Sequence, residues 1–290
     1  MRRASWTVAL ALAGSALLAG CGGGDDEAEV ASSPTALTAT RATTPAGGAA
    51  QAVIDAYDRL LGTSYRATVI QTTSFDASRA PVEVQTAYRA ASGRSTTEVE
   101  AESARRVRAV VDVPQPARDP TLVLHDGETF VSVDGGGFRR LTDTLGALFS
   151  ELSSLGSDQF ASRLRGVRAE GAAVEAGVTV RRYTATVDPA YLSELSDRLV
   201  AGLGIDPSAV SSRDARLVID LLPDGGLARQ ATTATAEIDL SEQMGSEALV
   251  VTTVETEHRI RDAGAPISIP KPQARGEVSD LAELQALLSP

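Results

Sequence analysis

Apolar and polar positions change period several times along the chain, and each change marks an element. Trp6 to Leu18 is an apolar run broken only by Thr7, Gly14 and Ser15. Gly22 to about Gly48 has no period at all. Gln51–Leu61 places Val53, Ile54, Tyr57, Leu60 and Leu61 on one helical face, which predicts a short amphipathic helix. After Gly62 the period becomes two, and strands are predicted at 65–72, 82–90, 95–102 and 105–113. Thr121 to Leu141 is the clearest stretch: TLVLH and ETFVSV flank Asp126-Gly127, and Asp134-Gly135-Gly136-Gly137 leads into FRRL. Asp-Gly between alternating runs signals a hairpin, because a type I′ turn needs positive φ.

Leu145, Leu148, Phe149, Leu152 and Leu155 then share a helical face, with Gln159 to Leu164 as an extension. Segments 167–174 and 178–188 read as another hairpin. Asp188 caps a helix that starts at Pro189 and carries a stripe of Tyr191, Leu192, Leu195, Leu199 and Leu203. Strands are predicted at 215–222, 227–240 and 248–259, the first two joined by Pro223-Asp224-Gly225-Gly226. The segment 266–272 (PISIPKP) is extended, and 278–288 is a last helix or turn. The sum is an α+β fold: a curved antiparallel sheet, a half-barrel of about ten strands, with inserted helices covering its concave face.

The N-terminus is an address. Met1-Arg2-Arg3 is positive, and the apolar run behind it is shorter than the roughly 20 residues that a membrane-crossing helix needs. Leu18-Ala19-Gly20-Cys21 resembles the bacterial lipobox, whose Cys thiol is joined to diacylglycerol and whose chain is cut before it. Cys21 is the only Cys among 290 residues, so neither an internal disulfide nor a Cys-based zinc cluster is available. Residues 1–20 are therefore expected to be a lipoprotein signal peptide. Residues 21–48 would be a lipidated Cys and a disordered tether reaching roughly 30 Å, and residues 49–290 the folded domain. Acyl chains on Cys21 would hold the protein outside the cytoplasm, on the cell membrane or on an outer membrane.

Charge narrows the partners. There are 38 acidic and 27 basic side chains, a net charge of −11, and removal of Arg2 and Arg3 takes it to −13. Such a surface repels nucleic acid and anionic headgroups. Chemistry is sparse. His125 and His258 are the only histidines, neither has metal-ligand spacing, and both are expected to face solvent. Ser268-Ile269-Pro270-Lys271 matches S-x-x-K, but its prolines forbid the helix that would aim Lys271 at Ser268. No catalytic residue, metal ligand or cofactor is assigned, and the chain is read as a non-enzyme. Arg105-Arg106, Arg139-Arg140 and Arg181-Arg182 are expected to cover a solvated face. A sharper reading has Arg139-Arg140 gripping a lipid phosphate.

The order of elements resembles that of LolA-like bacterial lipoproteins of the LppX/LprG type over roughly residues 50–288. The resemblance rests on the lipobox at Cys21, LHDGETFVSVDGGGFRRL (124–141), VRRYTATVDPAYLSELSDRL (180–199), RLVIDLLPDGGLARQATT (216–233) and the closing PISIPKP. It implies a half-barrel whose concave face, roofed by helices, encloses an apolar cavity for a lipid. Leu145, Leu148, Phe149, Leu152, Leu195 and Leu199 are the candidate walls, and the alternative is that these side chains simply close the core. The corresponding function is a membrane-anchored lipid binder or carrier. The alternative is an envelope sensor or protein-interaction module without a ligand.

Overall fold

The computed structural model describes residues 48–112, 118–142, 158–202 and 207–288. The signal peptide, Cys21, the tether and the helix expected around Leu145, Leu148, Phe149 and Leu152 lie outside the described residues.

Helix α1 (Gly48–Leu61) opens the domain and buries Val53, Ala56, Tyr57 and Leu60, at i, i+3, i+4 and i+7 along a single stripe. Strands β1 (Tyr65–Arg79), β2 (Gly93–Ser103), β3 (Arg106–Asp112), β4 (Pro120–His125), β5 (Glu128–Val133) and β6 (Phe138–Leu141) form one antiparallel meander, interrupted by α2 (Val82–Ala91). A short α3 (Asp158–Ser162) leads into the second meander. This comprises β7 (Leu164–Glu175), β8 (Val178–Val187), α4 (Pro189–Gly202), β9 (Val210–Leu221), β10 (Leu227–Asp239), α5 (Ser241–Met244) and β11 (Leu249–Arg261). Strand β12 (Ala274–Val278) and α6 (Leu281–Leu288) complete the described chain.

All the strands belong to one open sheet of order β12-β6-β5-β4-β3-β2-β1-β11-β10-β9-β8-β7. The two meanders meet where β1 pairs with β11, Val69 opposite His258 and Gln71 opposite Thr256. Every ladder is antiparallel except that of β12 on β6. The main core cluster joins the α1 stripe to Tyr65, Ala67 and Val69 of β1, Val99 and Ala101 of β2, Phe160 of α3, and Leu217, Ile219 and Leu221 of β9. Tyr191 and Leu192 of α4 lean on the same cluster. Helix α2 packs Val84 on Ala77, Ile238 and Val250, and α6 packs Leu284 and Leu288 on Val131, Leu141 and Val278. The pairing registers put all these strand residues on one surface of the sheet, called here the inner face.

Turn chemistry behaves as the sequence requires. Asp126 (φ 49°) and Gly127 (φ 88°) both adopt left-handed conformations in the β4–β5 hairpin. The backbone N–H of Ala190 donates to Oδ1 of Asp188 at 3.0 Å, capping α4.

Among the described residues the sheet has twelve strands where about ten were expected, and two local readings change. Residues 82–90 form α2, not a strand. The alternation ends after Val82-Glu83-Val84, and Gln85 to Ala91 is built of better helix formers behind Pro81. Val84 and Tyr88, one turn apart, then face the sheet together, and the Tyr88 ring meets Phe75 edge-on at 5.0 Å. The second change is β12, which lies between the extended 266–272 segment and α6. It is an edge strand with a single buried residue, Val278, so it carries almost no hydrophobic alternation to read.

Segment 266–272 crosses the opposite, outer face, where Ile269 is buried with Val123 and Phe130. Its position is fixed by the Ile269 N–H donating to Oε2 of Glu102 at 2.7 Å and by an ion pair of Lys271 with Glu128. Ser268 and Lys271 therefore sit on an extended strap, and the S-x-x-K match has no helix to act from.

Candidate functional site

The two faces of the four central strands, β2, β1, β11 and β10, differ completely in charge. In β1 the odd-numbered residues from Tyr65 to Ala77 point inward, and the ladder registers carry that parity across the sheet. Inward positions are Ser95, Thr97, Val99 and Ala101 in β2, and Val250, Thr252, Val254, Thr256, His258 and Ile260 in β11. In β10 they are Leu227, Gln230, Thr232, Ala234, Ala236 and Ile238. Not one of these is Asp, Glu, Arg or Lys.

The outer face carries the charges, interlocked across strands. Nε of Arg66 donates to Oε1 of Glu100 at 3.1 Å, and Nη1 of Arg108 donates to Oε2 of the same carboxylate at 3.3 Å. The Arg66 hydrogen bond holds Glu100 below the usual carboxylate range. Glu98 accepts from Thr68 at 3.0 Å and pairs with Arg261. Glu257 receives Nε of Arg229 at 2.8 Å and Nε of Arg259 at 2.7 Å. Nearby, Asp220 is fully buried, bound by Nε and Nη2 of Arg182 at 2.7 and 2.9 Å and by Nη1 of Arg229 at 3.3 Å.

The inner face is not uniformly apolar. Along β1 it begins with Tyr65, Ala67 and Val69 in the main core, passes through Gln71 and Thr73, and ends with Phe75 and Ala77 against α2. In β11 the sequence runs the other way, from Val250 through Thr252, Thr256 and His258 to Ile260. Gln71 is paired laterally with Ser95 on one side and Thr256 on the other, and Thr256 with Thr232. The next inward row holds Thr97, Val69, His258 and Gln230. A belt of neutral hydrogen-bonding groups thus separates two apolar clusters on one sheet surface.

Part of the belt is internally satisfied. The Tyr57 hydroxyl, from α1, donates to Oε1 of Gln230. Nε2 of Gln230 donates to Oγ1 of Thr232 at 3.2 Å, and Nε2 of Gln71 donates to Oγ1 of Thr73 at 3.1 Å. The rest is not: among the described residues, Oε1 of Gln71, Oγ1 of Thr252, Oγ1 of Thr256 and Nε2 of His258 are buried with no hydrogen-bond partner.

His258 corrects the sequence reading. Expected at the surface, it is 7% exposed, because it shares inward parity with Ile260. Burial pulls its pKa down to about 4, so the imidazole is neutral at physiological pH. His125 is also largely covered, with Nδ1 3.3 Å from Oδ2 of Asp126.

Arg139 and Arg140 are engaged by protein carboxylates. Arg139 lies 3.6 Å from Glu283 of α6, and Arg140 pairs with Glu277 of β12, so they tie the last strand and helix to the sheet. Arg182 departs from the expected solvated face by reaching the buried Asp220.

Of the candidate wall residues, Leu145, Leu148, Phe149 and Leu152 lie outside the described residues, and so does Cys21. Leu195 and Leu199 lie within α4, the helix that packs on β9 of the same sheet. Gln71, Thr252 and Thr256 were not singled out from sequence, and His258 was read only as a solvent-facing histidine, although counting parity back from the apolar Ile260 and Val250 places the three β11 residues inward. Among the described residues no cluster of His, Cys, Asp and Glu is arranged to hold a metal ion, and no helix is long and apolar enough to cross a membrane.

No protein-family model and no curated protein sequence matches the chain. Solved structures similar to it include LprF from Mycobacterium bovis, at 15% identity over 78% of this chain and 98% of that one, with a TM-score of 0.43. The Mycobacterium tuberculosis lipoprotein LppX is similar at 14% identity over 77% and 98%, with a TM-score of 0.43. A LolA superfamily protein from Nitrosomonas europaea is similar at 10% identity over 74% and 94%, with a TM-score of 0.28. The described part of the chain is itself an open sheet, antiparallel but for β12 on β6, with α1, α2, α3 and α6 packed on one face.

Proposed function

We propose that the chain is a non-enzymatic lipoprotein of the bacterial envelope. Acyl groups on Cys21 anchor it to a membrane, and the domain of residues 49–290 binds a lipid or another hydrophobic ligand between the inner sheet face and its helices. The observation that carries this reading is the charge asymmetry of the sheet: the inner face of four adjacent strands has no ionisable carboxylate, guanidinium or ammonium, while the outer face is laced with them. A hydrocarbon chain can lie against the first surface without desolvating a charge. The lipobox-like segment ending at Cys21 supplies the anchor, and the tether gives the domain reach from the bilayer.

The test is to express the full chain in a bacterium that processes lipoproteins, purify it from membranes and extract it with organic solvent. Mass spectrometry of the extract should show a non-covalently bound lipid near one per chain, separate from the acyl groups that stay attached to Cys21. The Cys21→Ser variant should move from the membrane to the soluble fraction. Repeated recovery of domain without lipid overturns the binding reading, and co-purification of a protein in its place favours an interaction module.

A further inference from the structure

Among the described residues five buried polar atoms on the inner face lack partners, Oγ1 of Thr129 on β5 and four on β1 and β11, and three of those four are close together. Gln71 and Thr256 are directly opposed across the β1–β11 ladder, which puts their Cβ atoms roughly 5 Å apart. His258 is the next inward residue after Thr256 on the same strand, about 7 Å along it. Gln71 is 3% exposed, Thr256 2% and His258 7%, so bulk water does not satisfy them. Thr252 lies further along β11, beside Phe75 in the register. A buried polar group left without a hydrogen bond costs about 1–3 kcal/mol, so three in one place are uncommon in a closed core. Neighbouring groups of the same belt, Tyr57, Gln230 and Thr232, do bond to one another, which shows that the local backbone permits such pairing.

We propose that Gln71, Thr256 and His258 form a hydrogen-bonding subsite within the ligand space, built for the uncharged hydroxyl and ester-carbonyl region of a neutral acyl lipid. The inference rests on the lipid-binding reading above and specifies which lipids that surface accepts. The available atoms match this chemistry. Oε1 of Gln71 can only accept and needs a hydroxyl donor, while the Thr256 hydroxyl can donate to a carbonyl or accept from a hydroxyl. Apolar clusters flank the belt on either side, so hydrocarbon extending from the polar group would meet apolar side chains in both directions. An anionic headgroup has no counter-charge there: the inner positions of β1, β2, β10 and β11 carry no Arg or Lys, and the His258 imidazole stays neutral above pH about 4.

The experiment compares three probes on the delipidated full chain, each displacing a bound fluorescent fatty-alkyl dye: dioleoylglycerol, squalene (which has no polar atom) and dioleoylphosphatidate. Dioleoylglycerol should bind roughly tenfold or more tightly than either of the others, about the effect of one or two net hydrogen bonds. Gln71→Leu and Thr256→Val, which keep volume close to native, should each reduce that preference by about tenfold and leave squalene binding unchanged. Equal binding of dioleoylglycerol and squalene by the native chain, or an unchanged preference in both variants, overturns the subsite and leaves the lipid-binding reading standing. Failure of all three probes to bind overturns that reading itself. Nitrogen-15 resonances of the His258 ring in the unsubstituted chain provide a readout that needs no variant. Dioleoylglycerol should shift Nε2 and squalene should not, and identical spectra with both overturn the proposal.

Discussion

The hydroxyl of Tyr57 donates to Oε1 of Gln230, linking the first helix to a strand 173 residues later in the chain. Both side chains are buried, so the bond anchors α1 on the inner face at one corner of the polar belt. Tyr57→Phe keeps the ring against Phe160, 6.0 Å away in an edge-on arrangement, and removes the hydroxyl that donates to Gln230. The Gln230 carbonyl is then left buried and unpaired, so stability should fall by about 1–3 kcal/mol with an unchanged denaturant slope in urea unfolding. A loss below a few tenths of a kcal/mol shows that the bond does not anchor the helix.

Asp220 and Arg79 report opposite ends of the ion-pair scale. Asp220 is fully enclosed and is held by Arg182 and Arg229. Arg182→Met strips away the bidentate partner and should destabilise the fold by about 3 kcal/mol, because breaking a buried pair strands the remaining charge. Arg79 and Glu247 are 2.6 Å apart, but both are 65% exposed. Arg79→Met should therefore change stability by less than about 1 kcal/mol, and by less still in high salt.

His258 gives the stability curve a signature in mild acid. Its folded pKa of about 4 lies below the ordinary value of 6.5, so the unfolded chain binds the proton more readily. Stability is complete above pH 6.5 and declines as the pH falls toward 4, by about 3 kcal/mol in all. Glu100 and Glu102, whose pKa values are lowered in the fold, contribute their own losses only below their ordinary carboxylate range. Between pH 6.5 and 5 the slope should thus belong to His258 and disappear in His258→Leu, as followed by urea midpoints across that interval. A slope that survives the substitution rules His258 out as its source.

The β7–β8 hairpin offers a gain of stability. Ala176 sits at φ 48° and Gly177 at φ 82°, a conformation that costs an alanine roughly 1 kcal/mol. Ala176→Asn creates the preferred Asn-Gly pair for this turn and should raise stability by about 0.5–1 kcal/mol. Thermal unfolding checks it, and a lowered midpoint refutes the assignment.

Most of the architecture could be read from the chain because its signals were local. Asp126-Gly127 demanded a tight turn, Asp188-Pro189 opened a helix, and Val180 to Val187 kept a strand-like period. Residues 82–90 misled because Val-Glu-Val satisfies two periods at once, and only packing of Val84 and Tyr88 against Ala77 and Phe75 decides for the helix. Strand β12 was missed because its pairing partner, rather than its own composition, defines it. The polar belt was harder still. Threonines occur on both faces of the central strands, as at Thr68 and Thr72 outside and Thr252 and Thr256 inside. A single-strand pattern does not reveal that Gln71, Thr256 and His258 lie on adjacent rows; the inter-strand register does.

The seam between β1 and β11 has a consequence for biosynthesis. Because Val69 must wait for His258, a chain that emerges N-terminus first completes the first meander while one flank of β1 is still bare. That flank is a fifteen-residue strand with backbone donors and acceptors open to any passing chain. Nascent molecules that stop short of residue 249 should thus be the ones that clump, and a helper protein that shields β1 during those seconds would improve yield more than any change to the finished surface.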